Sequence, residues 1–363
     1  MQNTVQSSVS SAVTRQGDSG DQAGYVDEIA AVRHRDHQVV TAVRTQAGDL
    51  RLIAWNVGST GAITRTGSSG EEAGLAAYID IAGHVSGTKL VTSCAESGSG
   101  DLKLISWDVS DDGSVVTRLG DSGSQAGAVT LTTIIAVSPD RLVTAVRTEG
   151  GGNLKLIGWR LNADGSLIRL ADSGDQAGSV GEIALSLMTD GTVVTSVRAG
   201  DGNLELISWA VSDTAITRIS DSSGLAGAAT RIRAVVDQAG HLVTAVRTAE
   251  DNLRLIVWQV DAGTFTRLAD SADLAGETVG HDISLAAGRV VTGVRTTGSA
   301  LKVIMWQTAA DGTVTRIGDS AAQAGSIDFV VQCDELTAAP PIVTCVKTSS
   351  GENLKLISWS PAI

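Results

Sequence analysis

Leu154-Lys-Leu-Ile-Gly-Trp159 is one of seven copies of a single phrase, Leu-x-Leu/Val-Ile-x-Trp, which ends at Trp55, Trp107, Trp159, Trp209, Trp258, Trp306 and Trp359. These are all the tryptophans of the chain, and they recur about every 50 residues, so the 363 residues read as one unit used seven times. In an extended strand alternate side chains share a face. The two leucines of the phrase therefore lie on one side and Ile157 and Trp159 on the other. Both faces are apolar, which predicts a sheet packed between two neighbours.

A clean copy of the unit runs from Ala128 to Gly178. Working outward from the phrase, β-branched and apolar runs predict strands over Leu131 to Val137, Arg141 to Thr148 and Leu154 to Leu161, with a fourth ending near Arg169. Asn162-Ala-Asp-Gly165 is a hairpin signal, because Asp-Gly tolerates the positive φ such turns require. A loop, Ala171-Asp-Ser-Gly-Asp-Gln-Ala-Gly178, leads into the next unit.

Seven four-stranded meanders build either a ring of blades or an open stack. The chain opens on a fourth-strand phrase, Ser11-Ala-Val-Thr-Arg15, with its loop Gly17-Asp18-Ser19, and finishes on a third strand, Leu354 to Ser360. The missing strand of the last unit is thus expected from the N-terminus. An open stack should also carry polar end caps, and these end units do not. The expected fold is all-β: a seven-bladed β-propeller filling residues 1–363 as one domain, with 1–24 as closing strand and loop.

Charge restricts the partners. A formal net charge of -13 repels phosphate backbones and anionic membrane surfaces, and no Lys/Arg run makes a local exception, so no nucleic acid is expected. No apolar run reaches the roughly 18 to 20 residues of a membrane span, and the first residues lack the basic start and apolar stretch of a secretion signal. The compartment stays open, including secretion with the signal removed. Cys94 and Cys345 stand where other units carry small apolar residues, and Cys333 makes the set odd, so neither disulfides nor zinc are expected.

Three polar positions recur. Thr-Arg or Ile-Arg places arginines at 15, 65, 118, 169, 218, 267 and 316. Asp-Ser places Asp18, Asp121, Asp172, Asp221, Asp270 and Asp319, with Ser68 as the exception. A basic residue closes the second strand at Arg44, Arg147, Arg198, Arg247, Arg295 and Lys347, with Glu96 as the exception. Loops joining strands two and three emerge at the same end of a blade as the loops between blades, so Asp and the strand-two basic residues should form one crown. Ser68 and Glu96 depart together, which suggests that these two groups bond to each other elsewhere. Either they pin each loop to its blade, or they form a repeated polar ligand site whose charged donors and acceptors suit sugar hydroxyls.

Other constellations are poorer. The tryptophans share their side with Ile and read as core rather than sugar platforms. His34, His37, His84, His241 and His281 repeat at no position, and His34 and His37 straddle a turn, so no metal site and no cofactor is expected. No Gly-x-Ser-x-Gly elbow occurs. Gly17-Asp-Ser-Gly20 and Gly120-Asp-Ser-Gly123 echo a serine-protease phrase but belong to the repeated loop. Asp111-Asp-Gly113, Asp164-Gly165 and Asp311-Gly312 lack the spacing of a calcium loop and read as turns. No catalytic residue is assigned.

With its Thr-Arg-x-Gly-Asp-Ser and Leu-Lys-Leu-Ile-x-Trp phrases, the chain resembles the highly repetitive seven-bladed propellers of bacteria, and its architecture is similar to that of propeller lectins. It lacks the Ser-x-Asp-x-Gly-x-x-Trp box of sialidase-like propellers and the Trp-Asp ending of another large class. The resemblance implies a soluble, multivalent, non-catalytic module that binds a glycan or other polar ligand. One alternative is a structural or protein-interaction scaffold. Another is an enzyme with a single axial pocket, to which the irregular residues Tyr78, His84, Cys94 and Glu96, and Phe329, Cys333, Asp334 and Pro340-Pro341, would point.

Overall fold

The computed structural model describes residues 13–85, 88–321, 323–333 and 342–361. Residues 1–12, with Ser11 and Ala12 of the closing phrase, lie outside the described residues, as do Asp334, Pro340-Pro341 and the side chain of His84. The described chain is all-β and forms seven four-stranded antiparallel sheets. The first strands of successive sheets touch one another around a closed circuit, so the sheets are blades of a propeller and their first strands line its axis. Blade one begins at Val26, and blade seven is completed by Val13–Asp18 pairing antiparallel with Leu354–Pro361, Arg15 opposite Trp359.

In blade three the strands are Val129–Ser138, Arg141–Thr148, Leu154–Leu161 and Leu167–Asp172. The inner two match the sequence reading. The first strand begins earlier than expected and the fourth ends later. Its extension comes from a bulge: Arg169 lies opposite Trp159 while Asp172 lies opposite Ile157, three steps on one strand against two on the other. The ladder is interrupted at the corresponding place in every blade. In a regular strand residues three apart face opposite sides, whereas the extra residue restores them to one side.

Every phrase tryptophan is fully buried. An indole N–H cannot be left bare in an apolar core without a cost of about 1–3 kcal/mol. Each one donates to a strand-two threonine of its own blade, Thr41, Thr92, Thr144, Thr195, Thr244, Thr292 or Thr344, at 2.9–3.1 Å. The Val-Thr text of strand two is therefore the partner of the Trp phrase. Leucines of the opposite face pack on the next blade: Leu102 and Leu104 join the cluster around Trp159, and Leu354 and Leu356 join that around Trp55.

Polar contacts also cross between blades. The Asn162–Gly165 hairpin lies against blade two, where Ser106 Oγ donates to the Gly165 carbonyl at 2.6 Å. Ser208 and Ser358 do the same to Gly263 and Gly61, each at 2.6 Å. Gly165 has φ +90°, and a Cβ there would collide with the Leu119 side chain. Around the axis, carboxylates of one blade accept backbone N–H groups of the next. Glu28 takes Ile79 N at 3.0 Å, Asp80 takes Ile134 N at 2.9 Å, Glu182 takes Ile232 N at 2.9 Å and Asp282 takes Gln332 N at 2.7 Å.

Two outcomes are expected in thermal unfolding. A chain starting at Gly20 loses the closing strand, and with it at least the roughly 1.5–3 kcal/mol of Val13 burial; an unchanged midpoint would sink this account of closure. Gly165→Ala should cost about 1–3 kcal/mol, from positive φ and the collision together.

Candidate functional site

The loops joining strands two and three and the loops between blades do emerge on one face. Asn153 of a strand-two tip forms a β-bridge with Ser179 at the entrance to the next blade, and the other units repeat this bridge. On this crown face the recurrent polar residues fall into two rings.

The outer ring is built by the bulge. Because Arg169 and Asp172 are turned to one side, Arg169 Nη2 donates to Asp172 Oδ2, and its Nη1 donates to the Gln125 carbonyl in the loop leaving blade two, at 2.6 Å. Asp172 Oδ1 accepts Gly174 N at 2.8 Å, closing the turn, and Ser173 Oγ accepts Leu156 N at 3.0 Å. The same pairs recur as Arg15–Asp18, Arg118–Asp121, Arg218–Asp221, Arg267–Asp270 and Arg316–Asp319. All seven arginines donate to a carbonyl of the preceding blade's loop, at 2.6–3.1 Å. Four loops reciprocate, since the side-chain oxygens of Gln323, Gln22, Gln125 and Gln176 accept the backbone N–H of Arg15, Arg65, Arg169 and Arg218.

This corrects one expectation. The Asp of Asp-Ser bonds to the arginine three residues before it, not to the strand-two arginine. Where Ser68 replaces Asp, Arg65 keeps a partner in Ser68 Oγ at 2.9 Å. The second exception moves by one residue: Ala95, opposite Leu102 as Arg44 is opposite Leu50, stands at the basic position, and Glu96, one step on, pairs with Lys103 at 3.0 Å. The Arg-x-x-Asp spacing, kept in six of the seven units, was the signal for the true pair.

The inner ring holds the strand-two basic residues, and their partners differ from blade to blade. Arg44 reaches Asp27 at 3.2 Å, and Arg147 reaches Thr130 Oγ1 at 3.3 Å. Arg247 donates to the Thr278 carbonyl at 2.8 Å and pairs with Asp251 at 2.6 Å. Arg295 pairs with Asp328 at 3.4 Å. Lys347 pairs with Glu352 at 2.8 Å and stands 5.1 Å from the centre of the Tyr25 ring. The Arg198 side chain passes beside Gly181 and Gly202 and has no hydrogen bond or ion pair among the described residues. The Nε atoms of Arg44, Arg147, Arg198 and Arg295 are buried without an acceptor, while no outer-ring arginine has such an atom.

Hollows open between these parts. In blade one a cavity of about 450 Å³ lies between the entering loop at Ala23 and Tyr25 and the tip at Thr45–Ala47, with Arg51 and Glu71 at its side. Blade five has its counterpart of about 220 Å³, with Ala228, Thr248, Glu250 and Arg254. Between the tips of blades one and two a hollow of about 250 Å³ is lined by Arg44, Tyr78 and Glu96.

Electrostatics separates roles further. Burial opposes ionisation of Asp18, Asp172 and Asp270, but the turn N–H and the neighbouring arginine outweigh it and hold each carboxyl below its ordinary 3.8. For Asp221 the Ser223 hydroxyl acts first in the same direction. At the axis, burial raises Asp80 and Glu28 above their ordinary values despite the N–H groups they accept. Among the described residues no group of three or more His, Cys, Asp or Glu could hold a metal ion, and no helix is long and apolar enough to cross a membrane.

No family model and no curated protein matches the chain. Solved structures share its fold. A putative 6-phosphogluconolactonase from Bacteroides fragilis superposes with TM-score 0.58 at 10% identity, covering 93% of this chain and 91% of that one. The periplasmic gluconolactonase of Pseudomonas aeruginosa gives 0.57 at 13% identity over 82% and 86%. A chain of the mitotic checkpoint complex gives 0.61 at 14% identity over 99% and 95%. At such identities the likeness is one of fold.

The lowered outer-ring carboxyls set a pH dependence. Their stabilisation is complete above the ordinary 3.8 and is lost as pH falls through their lower folded values. The unfolding midpoint should therefore drop as pH falls below about 4, and Asp172→Asn should lower it at neutral pH while reducing that slope. A variant with the wild-type midpoint and slope would remove the clasp role of Asp172.

Proposed function

We propose that the protein is a non-catalytic, multivalent binding module that takes carbohydrate on its crown face. The propeller fold fits a binding or scaffold role. The finer reading rests on one contrast: each outer arginine is held through both Nη atoms, whereas Arg44 and Arg147 each make a single side-chain bond and Arg198 makes none among the described residues. A guanidinium that donates to a ligand oxygen makes a charge-assisted bond, shorter and stronger than one between neutral groups. In this reading Arg44, Arg147, Arg198, Arg247, Arg295 and Lys347 donate to sugar hydroxyls, and tip and loop carbonyls accept from them. Asp18, Asp121, Asp172, Asp221, Asp270 and Asp319 serve the ligand by fixing the loops that wall the hollows. Similar weak sites in several blades add through avidity when a ligand spans them.

A second reading, a protein partner on the same face, has its own support. Leu225 and Leu274 stand exposed in loops where four other units carry Gln and one carries Glu72, and Leu75 is likewise exposed at the entrance to blade two. The solved mitotic checkpoint complex includes a chain of similar fold within a protein assembly.

The test is a broad glycan array probed with labelled wild type and with the Arg147→Ala, Arg198→Ala, Arg247→Ala variant. Specific binding reduced at least about 10-fold in a variant that still unfolds cooperatively is the expected result. A folded wild type that binds no glycan would overturn the carbohydrate reading and leave the protein partner, for which Leu225→Gln with Leu274→Gln is the corresponding variant.

A further inference from the structure

We infer that the crown-side mouth of the axis, where blades five, six and seven meet, binds a small oxyanion, the carboxylate or phosphate group of a ligand, through Arg231, Arg233 and Arg295. These three side chains line one cavity of about 40 Å³, with His281, Asp328 and Phe329 completing its wall. At roughly 10–15 Å³ for each water centre the space suits a compact polar group.

Two of the three guanidinium groups are paired, Arg233 with Asp282 at 3.2 Å and Arg295 with Asp328 at 3.4 Å, and Glu182 commits its carboxylate to the Ile232 N–H beside Arg231. Arg231 is exposed and its side chain has no hydrogen bond or ion pair among the described residues. Burial pushes the His281 imidazole down to about 3, so it is neutral at physiological pH and adds polarity without charge. A local cationic spot in a chain of net charge -13 is a selective feature rather than a by-product of composition.

The backbone presents Arg231 deliberately. Its φ is +55° inside the strand Thr230–Val236, in the left-handed region that side-chain-bearing residues avoid. The ladder skips between Thr230 and Arg233, and Glu182 of blade four fixes the distortion by accepting Ile232 N at 2.9 Å. Blade two repeats the device, with Tyr78 at φ +53° and Glu28 accepting Ile79 N at 3.0 Å. The same strained turn thus carries an aromatic side chain on one side of the ring and a cation on the other. Such strain persists where the surroundings over-determine it, commonly at ligand sites.

The site shares Arg295 with the carbohydrate reading, so its test uses Arg231, which is not a member of the strand-two ring and is left intact by the glycan-array variant. Titration calorimetry of the full chain with inorganic phosphate, and separately with malonate, at constant ionic strength should give saturable binding to one site. A response to phosphate alone or malonate alone identifies the preferred oxyanion, and either supports the proposal. Arg231→Gly adopts the left-handed backbone freely, so the unliganded melting temperature should not fall, while affinity should drop at least about 10-fold. Arg231→Asn, which also tolerates positive φ, is the second variant if the glycine chain folds poorly. No saturable binding to either anion, or equal affinity in wild type and variant, would overturn it.

Discussion

No blade of this ring can cover its own faces. Leu154 and Leu156 on one side of a strand and Ile157 and Trp159 on the other all need apolar neighbours, and only adjacent blades supply them. Burial on both sides is the condition that the rest of the structure answers. It explains why seven units close on themselves, and why the strand Val13–Asp18 completes the sheet that begins at Ile327. It also explains why so much recurring polar text serves the junctions. The bulge, the arginine it turns and the carbonyl that arginine reaches are repeated wherever one blade meets the one before it.

Once the junctions are satisfied, the polar residues divide by what they have left to give. Arg169 has its Nη atoms engaged and Asp172 is bonded through both oxygens. Arg198, only a few ångströms from the tip glycine Gly202, is committed to nothing comparable. Recurrence alone does not separate these cases, since both positions repeat around the ring. Hydrogen-bond saturation does, and it moves attention from the periphery toward the axis. There the units are least alike: Glu28 and Glu182 occupy one position, Asp80 and Asp282 another, and Tyr78 and Arg231 share an unusual backbone.

The fold was legible because its signals are local and periodic. The Trp phrase and the Asp-Gly hairpins needed only the neighbouring residues, the offset between the first and last strands needed only the phase of the repeat, and each appears in the structure. The Arg–Asp pair was hidden by the parity of a flat strand, which puts residues three apart on opposite faces; the bulge that reverses this leaves no distinctive residue behind. The axial carboxylates were hidden for another reason. The partners they share are backbone N–H groups, and the side chains that two of them also meet, Thr133 at Asp80 and Arg233 at Asp282, differ in type, so Asp80 in the sequence looks like any strand carboxylate. The buried indole bond to Thr144 lay between these extremes, since both residues repeat faithfully but nothing in the text says that they touch.

The arginine contacts also have a direction. Arg65 reaches back to the loop at Gln22, Arg118 to Glu72 and Arg169 to Gln125, each from a later blade to an earlier one. During synthesis, which runs at about 5–20 residues per second, every emerging blade can therefore dock on a surface already made. Arg15 is the exception, because its carbonyl acceptor belongs to Gln323. The strand Val13–Asp18, made before the seven first strands of the ring, is thus the last to find its place, and until then the growing chain carries an open edge that a second copy of the same unit is equally able to fill.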